Sequence, residues 1–188
     1  MEECYLILRF LLGILFFSTG YTKLTSLEEH TLLVEKYNLL PRNIIHIIVK
    51  ISAVLELFIS LSLISGILQN ISFILILILL LSYNLAMMVN LFRGNTDFSC
   101  GCGGLLGDYK LSWWIVGRNF FIILLDLFLL SSNYHLGNIK NFFIGLPIST
   151  VFSLKVFIIF LISLIIIFIH QNIMNFLKIN KIIRTLSK

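Results

Sequence analysis

Five apolar stretches punctuate the chain, approximately Cys4 to Tyr21, Ile44 to Gly66, Ile71 to Phe92, Trp113 to Leu130 and Val151 to Ile169. A membrane-spanning helix needs about 20 mostly apolar residues, so the pattern predicts an all-α membrane protein, a bundle of four to five transmembrane helices. The first stretch begins with Glu2 and Glu3 rather than a basic run, and no small-x-small cleavage site follows it. It is therefore expected to persist as a permanent helix. Between the first two stretches, Leu32, Leu33, Tyr37 and Leu40 are spaced among Glu28, Glu29, His30, Glu35 and Lys36. That spacing predicts a short amphipathic surface helix ended by Pro41. A tight turn around Gln69 and Asn70 is expected to join the second and third helices, and Ser112 with Trp113 and Trp114 to cap and anchor the fourth. The whole chain reads as one integral membrane domain over residues 1–188, with a core over about 5–130 and a fifth helix and basic tail over about 150–188.

Polar groups inside these stretches are costly and therefore informative. Gly13 and Gly20 allow close approach of a neighbouring helix, and Arg9 is expected to snorkel to the interface. Glu56 falls near mid-membrane. Either it is protonated and bonded to a serine of a neighbouring helix, or it pairs with a buried cation or ligand. Tyr83, Asn84 and Asn90 suit hydrogen bonds between helices. Counted by depth, Arg9, Asp126 and Lys155 fall within two turns of one membrane face, which predicts a buried ion network joining helices one, four and five.

Composition agrees with the pattern: 59% of residues are hydrophobic, 12% are charged, and the mean hydropathy is +1.01. These values exclude a soluble single-core domain. The net charge of +5 lies at helix ends and in the tail from Gln171, where Lys178, Lys181, Arg184 and Lys188 suit a basic surface helix on anionic lipid. The expected partner is thus the bilayer, not nucleic acid. With five crossings, Lys23, Lys36, Arg42, Lys50, Arg93, Lys110, Arg118 and the tail cations share one side, and only Arg9, Lys140 and Lys155 fall on the other. The positive-inside rule puts the richer side in the cytoplasm of an inner (cell) membrane. A disulfide-forming role for exported proteins would call for the opposite face.

Chemistry is concentrated in Ser99-Cys100-Gly101-Cys102-Gly103-Gly104, between the third and fourth helices, with Asp97 and Asp108 nearby. Of the three cysteines, Cys4 lies an odd number of crossings away and is not expected to pair with the others. Only a thiolate attacks a disulfide or binds a soft metal. Arg93, Lys110 and Arg118, clustered around a short loop, would favour that form. A disulfide closed across one residue is tight and easily reduced, which suits a relay better than a staple. Gly103, Gly104 and Gly107 would keep the loop open to a partner. The competing readings are a Cu(I)-type soft-metal handler using two thiolates, and a non-enzymatic scaffold around a glycine-rich turn.

The order Gly20-x-x-Lys23-Leu24, Glu56, Asn90-Leu91-Phe92-Arg93-Gly94, Cys100-Gly101-Cys102-Gly103-Gly104 and Trp113 through Arg118-Asn119 resembles the MauE branch of the MauE/DoxX group of redox-associated membrane proteins, over about residues 5 to 130. The adjacency of Gly103 and Gly104 departs from the family pattern, which places an aromatic between those glycines. The resemblance implies a DoxX-like bundle and a role in methylamine metabolism: maturation or export of the disulfide-rich small subunit of methylamine dehydrogenase, alongside a thioredoxin-like partner. On this reading Cys100 and Cys102 are the catalytic thiols of a thiol-disulfide oxidoreductase accessory protein acting on a disulfide-containing client. Arg93, Arg118 and Lys110 would support them. Glu56 would line an intramembrane site for a proton or a quinone-like electron acceptor, and no resident cofactor or metal is expected.

Overall fold

The computed structural model describes residues 2–107, 109–132 and 154–186, with side chains of the last helix described for residues 154–173 and 176. Its helices are α1 (Glu2–Thr25), α2 (Leu27–Lys36), α3 (Arg42–Ser65), α4 (Gln69–Phe92), α5 (Trp113–Ser131) and α6 (Leu154–Leu186), with one 3₁₀ turn at Gly104–Leu106. All except α2 are long and apolar enough to cross a membrane. Their outward faces carry bare apolar side chains, among them Leu61, Leu85, Phe121 and Ile165. In water such a surface would aggregate; in lipid it is the solvated face. The expected connection carrying Lys140 and Pro147 lies outside the described residues.

Helix α1 is the central strut, packing on α3 most extensively and on α6 and α5 as well. Glycine makes the α1–α3 approach possible. A Cβ at Gly13 would lie 3.1 Å from Ile64, and one at Gly20 would lie 3.0 Å from both the Ala53 carbonyl oxygen and Glu56 Cβ. These two contacts set the register of the pair, and a core of Phe16, Ile59, Leu63, Phe73, Ile76 and Ile123 fills the bundle behind it. Helix α6 begins beside Glu3 of α1, through the Lys155 pair, and Phe10 meets Phe160 edge-on at 5.3 Å. It therefore starts on the face opposite the cysteine loop and runs toward it. The tail is not a separate surface helix: α6 continues unbroken through 33 residues, about 50 Å at 1.5 Å per residue, longer than the roughly 30 Å hydrocarbon core.

Several local expectations are corrected. Helix α2 stops at Lys36 rather than at Pro41, because Tyr37 turns into the core and Asn38 takes a left-handed φ of +49°, which asparagine tolerates better than most residues. Pro41 instead precedes α3. The turn into α4 is made by left-handed Gly66 and Leu68, with Gly66 N–H donating to the Ser62 carbonyl at 2.9 Å, the usual αL helix ending. Gln69 is already helical and accepts from the Tyr5 hydroxyl at 3.2 Å. Ser112 makes no side-chain cap, although Trp113 and Trp114 are exposed as anchors should be and Trp113 meets Phe92 edge-on.

The proposed ion network does not form. Lys155 pairs with Glu3 at 2.6 Å on the exposed edge, since both side chains reach water there at little cost. Arg9 does not snorkel: it is fully buried, with its guanidinium 5.0 Å from the centre of the Phe10 ring. Asp126 is also fully buried, and neither carboxylate oxygen has a hydrogen-bond partner among the described residues.

Candidate functional site

The cysteine loop is a small hairpin pinned at both ends. Leu111 N–H donates to the Phe98 carbonyl at 3.0 Å and Cys100 N–H to the Tyr109 carbonyl at 2.9 Å, a two-residue antiparallel ladder around Ser99 and Lys110. Between Cys100 and Tyr109 the chain curls through left-handed Gly101, Gly103, Gly104 and Gly107. The loop then docks on helix α1: Leu105 N–H donates to the Ser18 hydroxyl at 3.0 Å, while the Arg118 guanidinium donates to the Leu106 carbonyl at 2.8 Å. From above, the Tyr37 hydroxyl donates to the Cys100 carbonyl at 3.0 Å. Asn90 in turn holds the Tyr37 carbonyl at 3.2 Å.

The glycines therefore do the reverse of what was expected of them. Gly103 lies against His30, where a Cβ would come 3.1 Å from the imidazole, and Gly104 lies against the backbone of Ser18, where a Cβ would come to 2.7 Å. Their missing side chains let the loop press onto α1 and α2 rather than leaving it open. An aromatic between these two glycines would have to fit in the same contact.

Cys100 and Cys102 carry free thiols, Cys100 buried and Cys102 half-buried. The Cys102 N–H donates to Cys100 Sγ at 3.4 Å. A thiol-to-sulfur hydrogen bond from Cys102 holds the Cys100 thiol below its usual range; burial opposes this, while backbone N–H groups and the Arg118 charge assist. The proton remains on Cys102, whose thiol is pushed well up by that bond, by burial and by the charge on Cys100. The pair thus holds one proton between two sulfurs, with a thiolate ready at Cys100. Burial and the charges on the two sulfurs likewise push the Tyr37 hydroxyl upward, which keeps it a donor.

A pH profile follows from this arrangement. Alkylation tracks the thiolate fraction, so the Cys100 rate should stay high below the ordinary thiol pKa of about 8.5 and fall only as pH drops through the lowered value. In a Cys102→Ala variant the largest lowering contribution disappears and the midpoint should move up. An unchanged midpoint, read by mass spectrometry of iodoacetamide adducts, would show that the two sulfurs do not share a proton.

Of the three cations expected to support the thiols, only Arg118 bears on both. Arg93 and Lys110 are exposed, Arg93 at the end of α4 and Lys110 on the outer rung of the hairpin; a solvated cation there acts weakly on a buried sulfur. Of the two readings of Glu56, pairing with a buried cation holds and pairing with serine does not. Glu56 is buried and bonded through Oε1 to Lys23 Nζ at 2.5 Å and to the Tyr83 hydroxyl at 2.8 Å, with Lys23 Nζ also 3.2 Å from the Tyr83 oxygen. Lys23 escapes sequence reasoning as a site residue because the first apolar stretch ends at Tyr21, which puts Lys23 among the cations of the membrane edge. The available signal was its position three residues after Gly20, on the same helix face, opposite a carboxylate that needed a counter-charge.

A cavity of about 230 Å³ links the two clusters. Its lining includes Lys23 and Tyr83 together with Cys100, Gly101 and Cys102, and also His30, Tyr37 and Met87. Among the described residues no three His, Cys, Asp or Glu side chains lie close enough to hold a metal ion.

These features define a helical membrane protein with a pair of free cysteines lining a cavity. The family model of the methylamine utilisation protein MauE matches residues 1–132, and the chain belongs to that family. The match covers α1 to α5, every element that builds the site, and ends before α6. No curated protein and no solved structure matches the chain.

Proposed function

We propose that this chain is an integral membrane thiol-disulfide exchange protein of the inner membrane. Cys100 and Cys102 cycle between dithiol and disulfide, exchanging electrons with a thioredoxin-like partner on behalf of a disulfide-containing client. The observation that carries this reading is the pair itself: two free thiols with the Cys102 N–H donating to Cys100 Sγ, Cys100 favoured as thiolate, on a loop braced by α1, α2 and α5. Cys100 is the attacking sulfur, because thiolate character sets attack on a disulfide, and Cys102 resolves the mixed disulfide. Membership of the methylamine utilisation family supports, as the client process, the maturation of methylamine dehydrogenase or of another disulfide-containing protein.

The test is a trapping experiment in membranes. Cys102→Ala should accumulate a reductant-sensitive adduct with an added thioredoxin, while Cys100→Ala should trap none and the double variant should lose exchange altogether. Client maturation that survives loss of both thiols would sink the redox reading in favour of a scaffold. The same samples, labelled in intact cells with a membrane-impermeant maleimide, report which face carries the loop.

A further inference from the structure

We infer that the cavity between the ion cluster and the thiols is the binding site for the ring of a lipid-soluble quinone, which is the electron acceptor of the cysteine pair. This rests on the redox reading above and names its second substrate. Three observations carry it. The first is connectivity: Lys23, Tyr83, Cys100 and Cys102 line one continuous space, so a molecule inside it touches both the thiols and the buried polar cluster. The second is the rim. Leu39, Leu40 and Ile48 line the cavity and are each more than a third exposed. Ile48 lies more than a turn into the spanning helix α3, so the mouth is apolar and opens toward lipid. A water-soluble substrate gains nothing from such a mouth, whereas a molecule dissolved in the bilayer enters without leaving it.

The third is the donor inventory. An ammonium has three N–H groups, and the contacts among the described residues use two of those of Lys23, on Glu56 and on the Tyr83 oxygen. The third is left for a carbonyl oxygen in the cavity. At about 230 Å³ the space suits one ring rather than a whole drug-sized molecule, whose sites run roughly 300–1,000 Å³. The isoprenoid or alkyl tail would remain in lipid beyond Leu40 and Ile48.

The chemistry balances within this geometry. The Cys100 thiolate adds to a ring carbon of the quinone, forming a C–S bond, and a carbonyl oxygen takes a proton from the Lys23 ammonium. Cys102 then attacks Cys100 Sγ. The S–S bond forms, the C–S bond breaks with its electron pair left on the ring, and the second oxygen receives the proton lost by Cys102. The thiols are oxidised by two electrons, the quinone is reduced to quinol, and Lys23 regains its proton from water. Glu56 and Tyr83 act as positioning residues, holding the ammonium in the cavity wall.

The experiment uses the full chain in lipid nanodiscs, pre-reduced, with a decyl-substituted benzoquinone. Quinone reduction is followed by absorbance, and exchange with oxidised thioredoxin is measured separately. The wild type should do both. Ala86→Phe, which fills the cavity from α4, should raise the KM for the quinone or lower turnover at least tenfold while leaving thioredoxin exchange within twofold; Ile48→Phe at the mouth is the second variant should the first not fold. Thioredoxin exchange without quinone reduction in the wild type, or equal quinone turnover in a folded cavity-filled variant, would overturn the assignment while leaving the redox reading intact. Loss of both activities in the wild type would remove the redox reading and this site with it.

Discussion

Replacing Lys23 with methionine is expected to destabilise the protein by about 3–5 kcal/mol, the usual cost of stripping one partner from a buried ion pair. The variant leaves the Glu56 carboxylate, 1% exposed, with Tyr83 as its remaining donor, and Glu56 Oε2 already lacks a hydrogen-bond partner among the described residues. Glu56→Leu alone should cost a similar amount, by leaving an ammonium unneutralised beside an aromatic ring whose centre is 4.4 Å away. The informative variant carries both changes. Apolar groups of similar volume often replace a buried pair at little net cost, so the double variant should recover most of the lost stability. Unfolding in detergent micelles, analysed as a double-mutant cycle, reads the coupling directly. Additive losses would show that the two charges stabilise the fold independently.

The second large effect is expected at Gly104. Its φ of +54° is a conformation that costs a residue with a Cβ about 1–2 kcal/mol, and the added carbon would lie 2.7 Å from the Ser18 carbonyl oxygen. That oxygen belongs to helix backbone and has no rotamer to escape through. Gly104→Ala should therefore displace the hairpin from α1, break the Leu105 bond to Ser18 and expose Cys102. The readout is a several-fold faster reaction of Cys102 with a maleimide, together with a lower unfolding midpoint. Gly94→Ala is the control: its φ is +76° but nothing lies within 4 Å of the added carbon, so it should carry the conformational cost and leave Cys102 reactivity unchanged. Equal maleimide rates in the two variants would show that loop docking does not depend on Gly104.

The charge count used to orient the protein also changes once the structure is known. Lys23 is neutralised inside the bundle by Glu56, so it no longer counts as a surface cation on the thiol side, and Arg118 is half-buried on the Leu106 carbonyl. Lys36, Arg42, Lys50, Arg93 and Lys110 still stand on that side. Arg9 is likewise buried on the other side, so the bias toward the thiol side keeps its direction, and the impermeant labelling experiment tests it directly.

Much was legible in the chain because lipid imposes a simple rule: about 20 apolar residues in a row must be a spanning helix. The five spans, the close approach at Gly13 and Gly20, the isolation of Cys4 on the far face and the placement of both thiols on one short loop all follow from local composition and parity. What remained hidden depended on how elements meet. Depth counted along separate helices put Arg9, Asp126 and Lys155 together, but rotation about each helix axis decides contact, and that rotation sends Lys155 to Glu3 instead. Charge proximity along the loop suggested Arg93 and Lys110 beside the thiols, yet the hairpin ladder turns Lys110 outward and α4 ends with Arg93 in water. Local composition was enough to define a membrane bundle with a Cys-Gly-Cys loop between two spans. Only the fold shows that Lys23 answers Glu56, that the glycines clamp the turn onto α1 and that one cavity is lined by residues of both clusters, because each depends on the register between α1 and α3 and on side chains far apart in the chain.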